Sequence, residues 1–378
     1  MAFIHIPPAV LPPECEELRE EVRAFLSKEM PHHRQKKEAA FSFFDPAFSR
    51  KLGERGWLGM TWPKQYGGHE RSFLERYVVL EELLAVDAPI AAHWVADRQS
   101  GDQLIRFGTE EMRTTIVPGI ARGEVYFCVG MSEPDAGSDL AGIRSRAERV
   151  PEGWRLNGTK IWNSAHHAHY MIALVRTQPA GDSRHAGLSQ LLIDLTTPGI
   201  TIRPILNLRG YVNFNEVHFN DVILPADCLL GKEGAGWKQV STELGFERSG
   251  PERYLSSIEL LMQMLNSASP DNERQAVALG RLVCEARTLR RMSIGLTAMF
   301  VRREDPGVIS AMVKDMGTTF EQRIPEMAAE LFDVELGDPA SPLAQLAAIT
   351  IQNAPSFSLR GGSREVLRGM IAKGMGLR

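Results

Sequence analysis

The hydrophobic period of this sequence changes twice. It is helical up to about Pro118, alternates in short runs from there to about Leu230, and is helical again beyond "LLGKEGAGW". A chain that moves between the 3.6 and 2.0 periods in separate blocks folds into segregated helical and β parts. The expected class is therefore α+β, with a helical domain over residues 1–118, a β domain over 119–230 and a second helical domain over 231–378.

In "ECEELREEVRAFLSKEM", Leu18, Val22, Phe25 and Leu26 share one helical stripe, and Pro31 fits its stop. Ser72 and Glu75 stand at capping-box spacing in "SFLERYVVLEELLAV". "APIAAHWVADRQSGDQLIRFG" reads as a third helical stretch ending at Gly108. In the β block, Asn157-Gly158 between two β-rich runs predicts a hairpin. "YMIALVR", "LSQLLID", "ITIRPIL" and "FNEVHFNDV" follow as short strands between turn clusters. In the last block, helices are expected to begin near Trp237, Asn272, Gly307, Pro342 and Ser363. Pro325 lies inside "FEQRIPEMAAELF", where it should kink or divide a helix at a cost of about 3 kcal/mol.

Composition removes several function classes. The net charge of −4 gives no broad basic footprint for nucleic acid. No apolar run approaches the roughly 18 residues that a membrane span needs. The start lacks a basic segment followed by a long apolar one, so no signal peptide is expected. Cys15, Cys128, Cys228 and Cys284 are far apart and show no metal-type spacing, which suits reduced thiols in a cytoplasmic protein. His166, His167 and His169 sit on an expected loop without a supporting carboxylate pattern, so no metal site is expected. "GKEGAGW" is neither a dinucleotide fingerprint nor a phosphate loop.

Three stretches bear on chemistry. "MSEPDAGSD" is rich in turns and oxygens, and Gly137 has no Cβ to block a close backbone approach. Alone it reads as a surface turn. Trp162 and Ser164 in "KIWNS" pair an indole with a hydroxyl, and a strand Trp alone reads as core. Trp237, Val240 and Leu244 step along one apolar helical stripe whose next position is Glu247. A carboxylate on a buried face is costly unless paired or functional, so Glu247 either pairs with Arg248, caps a kink near Pro251, or acts.

The block order resembles that of the acyl-CoA dehydrogenase family over nearly the whole chain. So do "WLGMTWPKQYGG", "FCVGMSEPDAGSDLAGIRSRA", "WRLNGTKIWNSA", "HFNDVILPADCLLGKEGAGW" and "GGSREVLRGMIAKGMGL". The specific part is the pair "SEPDAGSD" and "GTKIWNS" at this spacing. The resemblance implies an N-terminal helical domain, a β-barrel-like middle domain and a C-terminal four-helix bundle. It implies a tightly bound FAD, loss of an α-proton and a β-hydride to give a trans-2-enoyl-CoA, and an electron-transfer flavoprotein as acceptor. It also implies that Met131, Ser132, Gly137, Ser138, Trp162 and Ser164 contact the flavin or its phosphate. Ser363 and Glu365 would contact the cofactor and Ser138 the substrate, while Arg248 would bind the CoA substrate or orient the helix.

Many family members carry their base in a C-terminal Tyr-Glu-Gly-Thr motif. Here the matching stretch is "RGGS", with Arg360 and Gly361 in place of Tyr and Glu. The isovaleryl-type branch carries the acid on the first long helix of the last domain, and its pattern aligns with "GFERSG". The resemblance thus implies Glu247 as base. Family homotetramers complete each FAD site with a neighbour's Arg-x-x-Phe-Gly and Phe-Gly-Gly segments, and the matching regions here, "LLMQMLNSASPDNERQAV" and "AAELFDVELGDPASP", have neither. That pattern resembles subunits of the heteromeric dehydrogenases of bacterial steroid and bile-acid side-chain breakdown. It implies a homologous partner and an α2β2 heterotetramer. Other readings stay open: a homomeric dehydrogenase of short branched or cyclic acyl-CoA, a non-catalytic structural subunit, and a flavin oxidase or oxygenase on the same fold.

Overall fold

The structure is a computed structural model that describes residues 5–30 and 43–377, with the side chains of 243–247 outside that description. Pro31, the expected stop of the first helix, lies outside the described residues. The N-terminal helices are α1 (Pro13–Glu29), α2 (Pro46–Glu54), α3 (Phe73–Ala85), α4 (Ala91–Val95), α5 (Gly101–Phe107), α6 (Glu110–Thr115) and α7 (Val117–Ala121). The strands are β1 (Phe127–Gly130), β2 (Arg146–Val150), β3 (Gly153–Asn163), β4 (Tyr170–Arg176), β5 (Leu188–Asp194), β6 (Ile200–Leu206), β7 (Val212–Leu224) and β8 (Leu229–Leu230). Then come α8 (Gly236–Glu247), α9 (Ile258–Ser267), α10 (Glu273–Val301), α11 (Gly307–Leu331), α12 (Pro342–Phe357) and α13 (Arg364–Gly374). This is the mixed α+β order of helices, sheet and helices expected from the sequence. Among the described residues no helix is long and apolar enough to cross a membrane.

Two compact units make up the chain: Met1–Ala40, Ser72–Ala88 and Gly245–Arg378 form one, and Phe41–Arg71 with Pro89–Leu244 the other. In the first, α3 starts at the capping box read from sequence. Ser72 Oγ accepts from Glu75 N–H at 3.1 Å, and the Glu75 carboxylate accepts from Ser72 N–H at 2.8 Å. Helices α10, α12 and α13 pack on α11, whose Phe320 and Ile324 are fully buried. Arg19 on α1 donates to Glu81 and Glu82 on α3, and Arg290 on α10 reaches Glu81 at 2.6 Å. Tyr77 and Tyr254 share a 2.5 Å hydrogen bond beside them. Arg23 also reaches Glu82 at 2.8 Å, so each buried carboxylate is compensated by two guanidinium groups.

Pro325 neither ends nor divides α11, which runs on to Leu331. A helix-interior proline leaves the carbonyl four residues back without its N–H partner. That carbonyl belongs to Glu321, and the buried Ser257 Oγ donates to it at 3.0 Å. A side chain replaces the missing backbone donor, so the helix continues.

The second unit is built on one sheet of order β6-β7-β3-β2-β4-β5-β8, with β1 joined parallel to β4. One face of β4 and β5 (Met171, Val175, Leu191, Ile193) meets Trp154, Leu156 and Val217 in the core of the sheet. The other face (Ile172, Leu192) packs with Leu104, Val117 and Ile120 of the helices. Burial on both sides explains why "YMIALVR" is a continuous apolar run rather than an alternating one. The expected hairpin at Asn157-Gly158 is not formed. β3 runs straight through, and the turn from β2 lies at Pro151–Glu152. Gly158 serves a register shift against β7 instead: its φ is +146°, and a Cβ there would lie 2.3 Å from Ser145 Oγ. The third helical stretch is also more broken than its periodicity predicts, with a π-helical turn at Ala96–Ser100 between α4 and α5.

Candidate functional site

Strand β3 points Trp154, Leu156 and Lys160 inward at period 2, and by that rule Trp162 would be inward too. A register shift between Ile161 and Asn163 breaks the alternation. Trp162 there takes φ +63°, a left-handed conformation that costs a non-glycine residue roughly 1–3 kcal/mol. The bulge turns the indole outward: Trp162 is 57% exposed, edge-on to Phe214 with ring centres 6.2 Å apart. Trp162 is therefore not core, and the strain is spent on presenting an aromatic face. Beside it Asn163 is turned in and buried, and neither end of its amide has a hydrogen-bond partner among the described residues. Ser164 follows, half-buried.

The Met131–Ser138 loop is tied to this strand. Ile161 N–H donates to Ser132 O at 3.0 Å, and the Lys160 ammonium donates to Met131 O at 3.0 Å and to Glu133 Oε1 at 2.8 Å. Gly137 and Ser138 are exposed, and a Cβ built on Gly137 meets no protein atom within 4 Å. Met131 and Ser132 are thus tied to the strand that carries Trp162 and leads into Ser164. Lys160 and Glu133 escaped the sequence reading. Their signal was a lysine on a stripe otherwise read by Trp154 and Leu156, but strand alternation in a single sequence does not say which face is buried.

The remaining expected residues belong to the first unit or its boundary. Val240 on α8 is buried as the apolar stripe predicts, while the side chains of Leu244 and Glu247 lie outside the described residues. The backbone of Glu247 closes α8. Arg248 is buried, and its Nε donates to Gly361 O at 2.9 Å. Gly361 and Gly362 take φ +69° and +100°, a turn that side chains disfavour. Lys314 donates to Phe357 O and Gly362 O at 3.2 and 3.1 Å, and Arg360 pairs with the buried Glu321 at 2.7 Å. Ser363 caps α13 by accepting from Val366 N–H, and Glu365 is exposed in its first turn.

The three histidines have partners of their own. His166 Nδ1 meets Asn215 Oδ1 at 2.5 Å, and His169 Nδ1 accepts from Tyr126 N–H at 3.0 Å. His167 stacks on Phe44, and burial pushes its pKa down to about 4. Among the described residues no group of three or more His, Cys, Asp or Glu is placed to hold a metal ion.

Comparison with known proteins gives the family of the chain. Residues 12–124 match the acyl-CoA dehydrogenase N-terminal domain, and residues 128–222 its middle domain. The chain is 31% identical to the acyl-CoA dehydrogenase FadE29 of Mycobacterium tuberculosis, over 96% of each. The solved steroid ACAD Tcur3481-Tcur3483 is similar with a TM-score of 0.87 and 27% identity, over 97% of this chain and 98% of that one. The ChsE4-ChsE5 complex of Mycobacterium tuberculosis is similar with a TM-score of 0.85 and 26% identity, over 98% of this chain and 100% of that one. With both domain matches and a full-length relative at this identity, the chain belongs to the acyl-CoA dehydrogenase family, FAD-dependent oxidoreductases that act on the CH–CH bond of an acyl-CoA.

Proposed function

We propose that this chain converts an acyl-CoA thioester to its trans-2-enoyl-CoA, with Glu247 as the base that removes the α-proton. The Met131–Ser138 loop, Trp162 and Ser164 hold the isoalloxazine of FAD, and Ser363 and Glu365 serve the cofactor from the C-terminal segment. The residues present suit a flat aromatic ring with polar edges. An exposed indole is held out by a strained bulge, an unpartnered buried amide at Asn163 lies next to it, and the space at Gly137 is open. The bulge at Trp162 is the observation that carries the reading, since it spends backbone strain to hold an indole more than half exposed. FAD, when bound, supplies the two-electron acceptor for the β-hydride. The carboxylate of Glu247 takes the α-proton, and the C–H electron pair becomes the new double bond. Ser138 contacts the acyl-CoA. Arg248 orients the end of α8 by holding Gly361 O.

The substrate is proposed to be bulky, a steroid side-chain thioester, and the working form an α2β2 heterotetramer with a homologous subunit. Two things support this: the chain lacks both segments that a subunit lends a neighbour's FAD, and the similar solved proteins include a steroid ACAD and a two-subunit complex. Domains 1–118, 119–230 and 231–378, a cytoplasmic location and an electron-transfer flavoprotein as acceptor complete the proposal. Co-expression with a homologous partner tests it by native mass and flavin-to-protein ratio. One flavin per unlike pair is expected, and the chain purified alone should be flavin-poor. A stable homotetramer with FAD in every subunit contradicts the heteromer.

A further inference from the structure

Lys160 is the last inward residue of β3 before the bulge and is completely buried. Its ammonium meets Met131 O and Glu133 Oε1. Glu133, itself buried, also accepts from the N–H groups of Arg144 at 2.6 Å and Ser145 at 2.9 Å. A well-packed apolar side chain in place of a buried ion pair is often neutral or stabilising, so packing alone does not account for a lysine here. Geometry supplies an account. In a trans peptide the C=O of one residue and the N–H of the next point to opposite sides. The Met131 carbonyl is turned onto the buried ammonium, so the Ser132 N–H points to the opposite side of that peptide. Ser132 O is in turn fixed by Ile161 N–H.

We infer that Lys160 and Glu133 are positioning residues for the flavin, a buried pair that sets the Met131–Ser132 peptide so that the Ser132 N–H is presented to the polar edge of the isoalloxazine. This rests on the reading of residues 131–138 as the flavin loop. The pair acts through the loop and touches no reacting atom. Burial drags the Lys160 ammonium down to about 8 against the pull of Glu133, while Lys160 and the two N–H donors hold the Glu133 carboxyl below its usual range despite burial. The charged pair is kept in a place that opposes charge, which fits a part held for orientation.

The test uses the FAD-loaded protein with its partner chain. Hydrogen exchange at residues 131–138 is measured with and without FAD. FAD affinity, the visible spectrum of bound FAD and thermal stability are then compared for wild type, Lys160→Met, Glu133→Gln and Lys160→Met/Glu133→Gln. Lys160→Met strands a buried carboxylate and is expected to fold poorly, whereas the double variant removes both charges and should fold. FAD is expected to protect these amides in wild type. The folded double variant should bind FAD on the order of tenfold more weakly, with a shifted flavin spectrum, the scale of one hydrogen bond to a well-placed donor. If the double variant does not fold, Glu133→Gln decides, since it keeps the shape and should still shift the spectrum. Wild-type affinity and spectrum in a folded variant overturn the inference and leave the flavin loop standing. Absence of FAD protection at 131–138 overturns the loop reading and the inference with it.

Discussion

Two substitutions at Trp162 separate strain from stacking. The indole is 57% exposed. A covered Trp side chain buries on the order of 200 Å², so roughly 100 Å² is open to a ligand. At about 25 cal/mol per Å², covering all of it contributes about 2.5 kcal/mol, and covering half of it about 1.3 kcal/mol. Trp162→Ala and Trp162→Gly should therefore both weaken FAD binding by about tenfold to sixtyfold. Their effects on the FAD-free protein should differ. The backbone at this position has φ +63°, which costs alanine roughly 1–2 kcal/mol and glycine nothing. Glycine gives back about 0.5–1 kcal/mol through its freer unfolded chain, so Trp162→Gly should be more stable than Trp162→Ala by up to about 1.5 kcal/mol. Fluorescence titration of the complex with FAD, and urea unfolding of the FAD-free chain, read the two quantities. FAD affinity within twofold of wild type in both variants would refute the stacking role. An alanine variant more stable than the glycine one would refute the strained bulge.

Ser257→Ala should destabilise the protein by about 1–3 kcal/mol by leaving Glu321 O without a donor in a buried place. In a Pro325→Ala background, where residue 325 regains its N–H, that loss should shrink by about 1 kcal/mol or more, and a double-mutant cycle in urea with no coupling would contradict the account of α11. Lys160 has a folded pKa of about 8 against an ordinary 10.5, so between those values the unfolded chain holds more protons than the folded one. Stability of wild type relative to Lys160→Met/Glu133→Gln should therefore rise as pH climbs from about 8 to about 10.5, and a falling difference in pH-dependent urea unfolding would contradict the burial of that ammonium.

Periodicity and capping chemistry carried much of the architecture. The Ser72–Glu75 box, the four short strands and the helix starts near Asn272, Gly307, Pro342 and Ser363 needed only local rules. The misreadings lie where a distant residue overrides a local one. Asn157-Gly158 has turn chemistry, yet Asn157 hydrogen-bonds Asp221 across to β7 and the strand continues. Pro325 is expected to kink or divide a helix, and Ser257, far away in sequence, lets α11 run on undivided. Helix α9 went unnoticed because its short run, "IELLMQMLNS", is dominated by apolar residues. At the site, Trp162 was visible as a motif but its outward aim was not, because a bulge leaves no mark in the alternation until its partner strand is known. Lys160 and Glu133 were hidden for the same reason: each looks like an ordinary surface charge until the fold buries both.

The central claim is that this chain carries its own base on α8 and not in the Gly361–Gly362 turn. The direct measurement is the rate at which acyl-CoA bleaches the flavin of the FAD-loaded complex, wild type against Glu247→Gln, with acyl-CoA binding measured alongside. Glutamine keeps the shape and removes the proton acceptor, so the rate should fall by about 10²–10⁴-fold or more with binding retained. Flavin reduction near the wild-type rate in Glu247→Gln would contradict the account and move the base to the partner subunit.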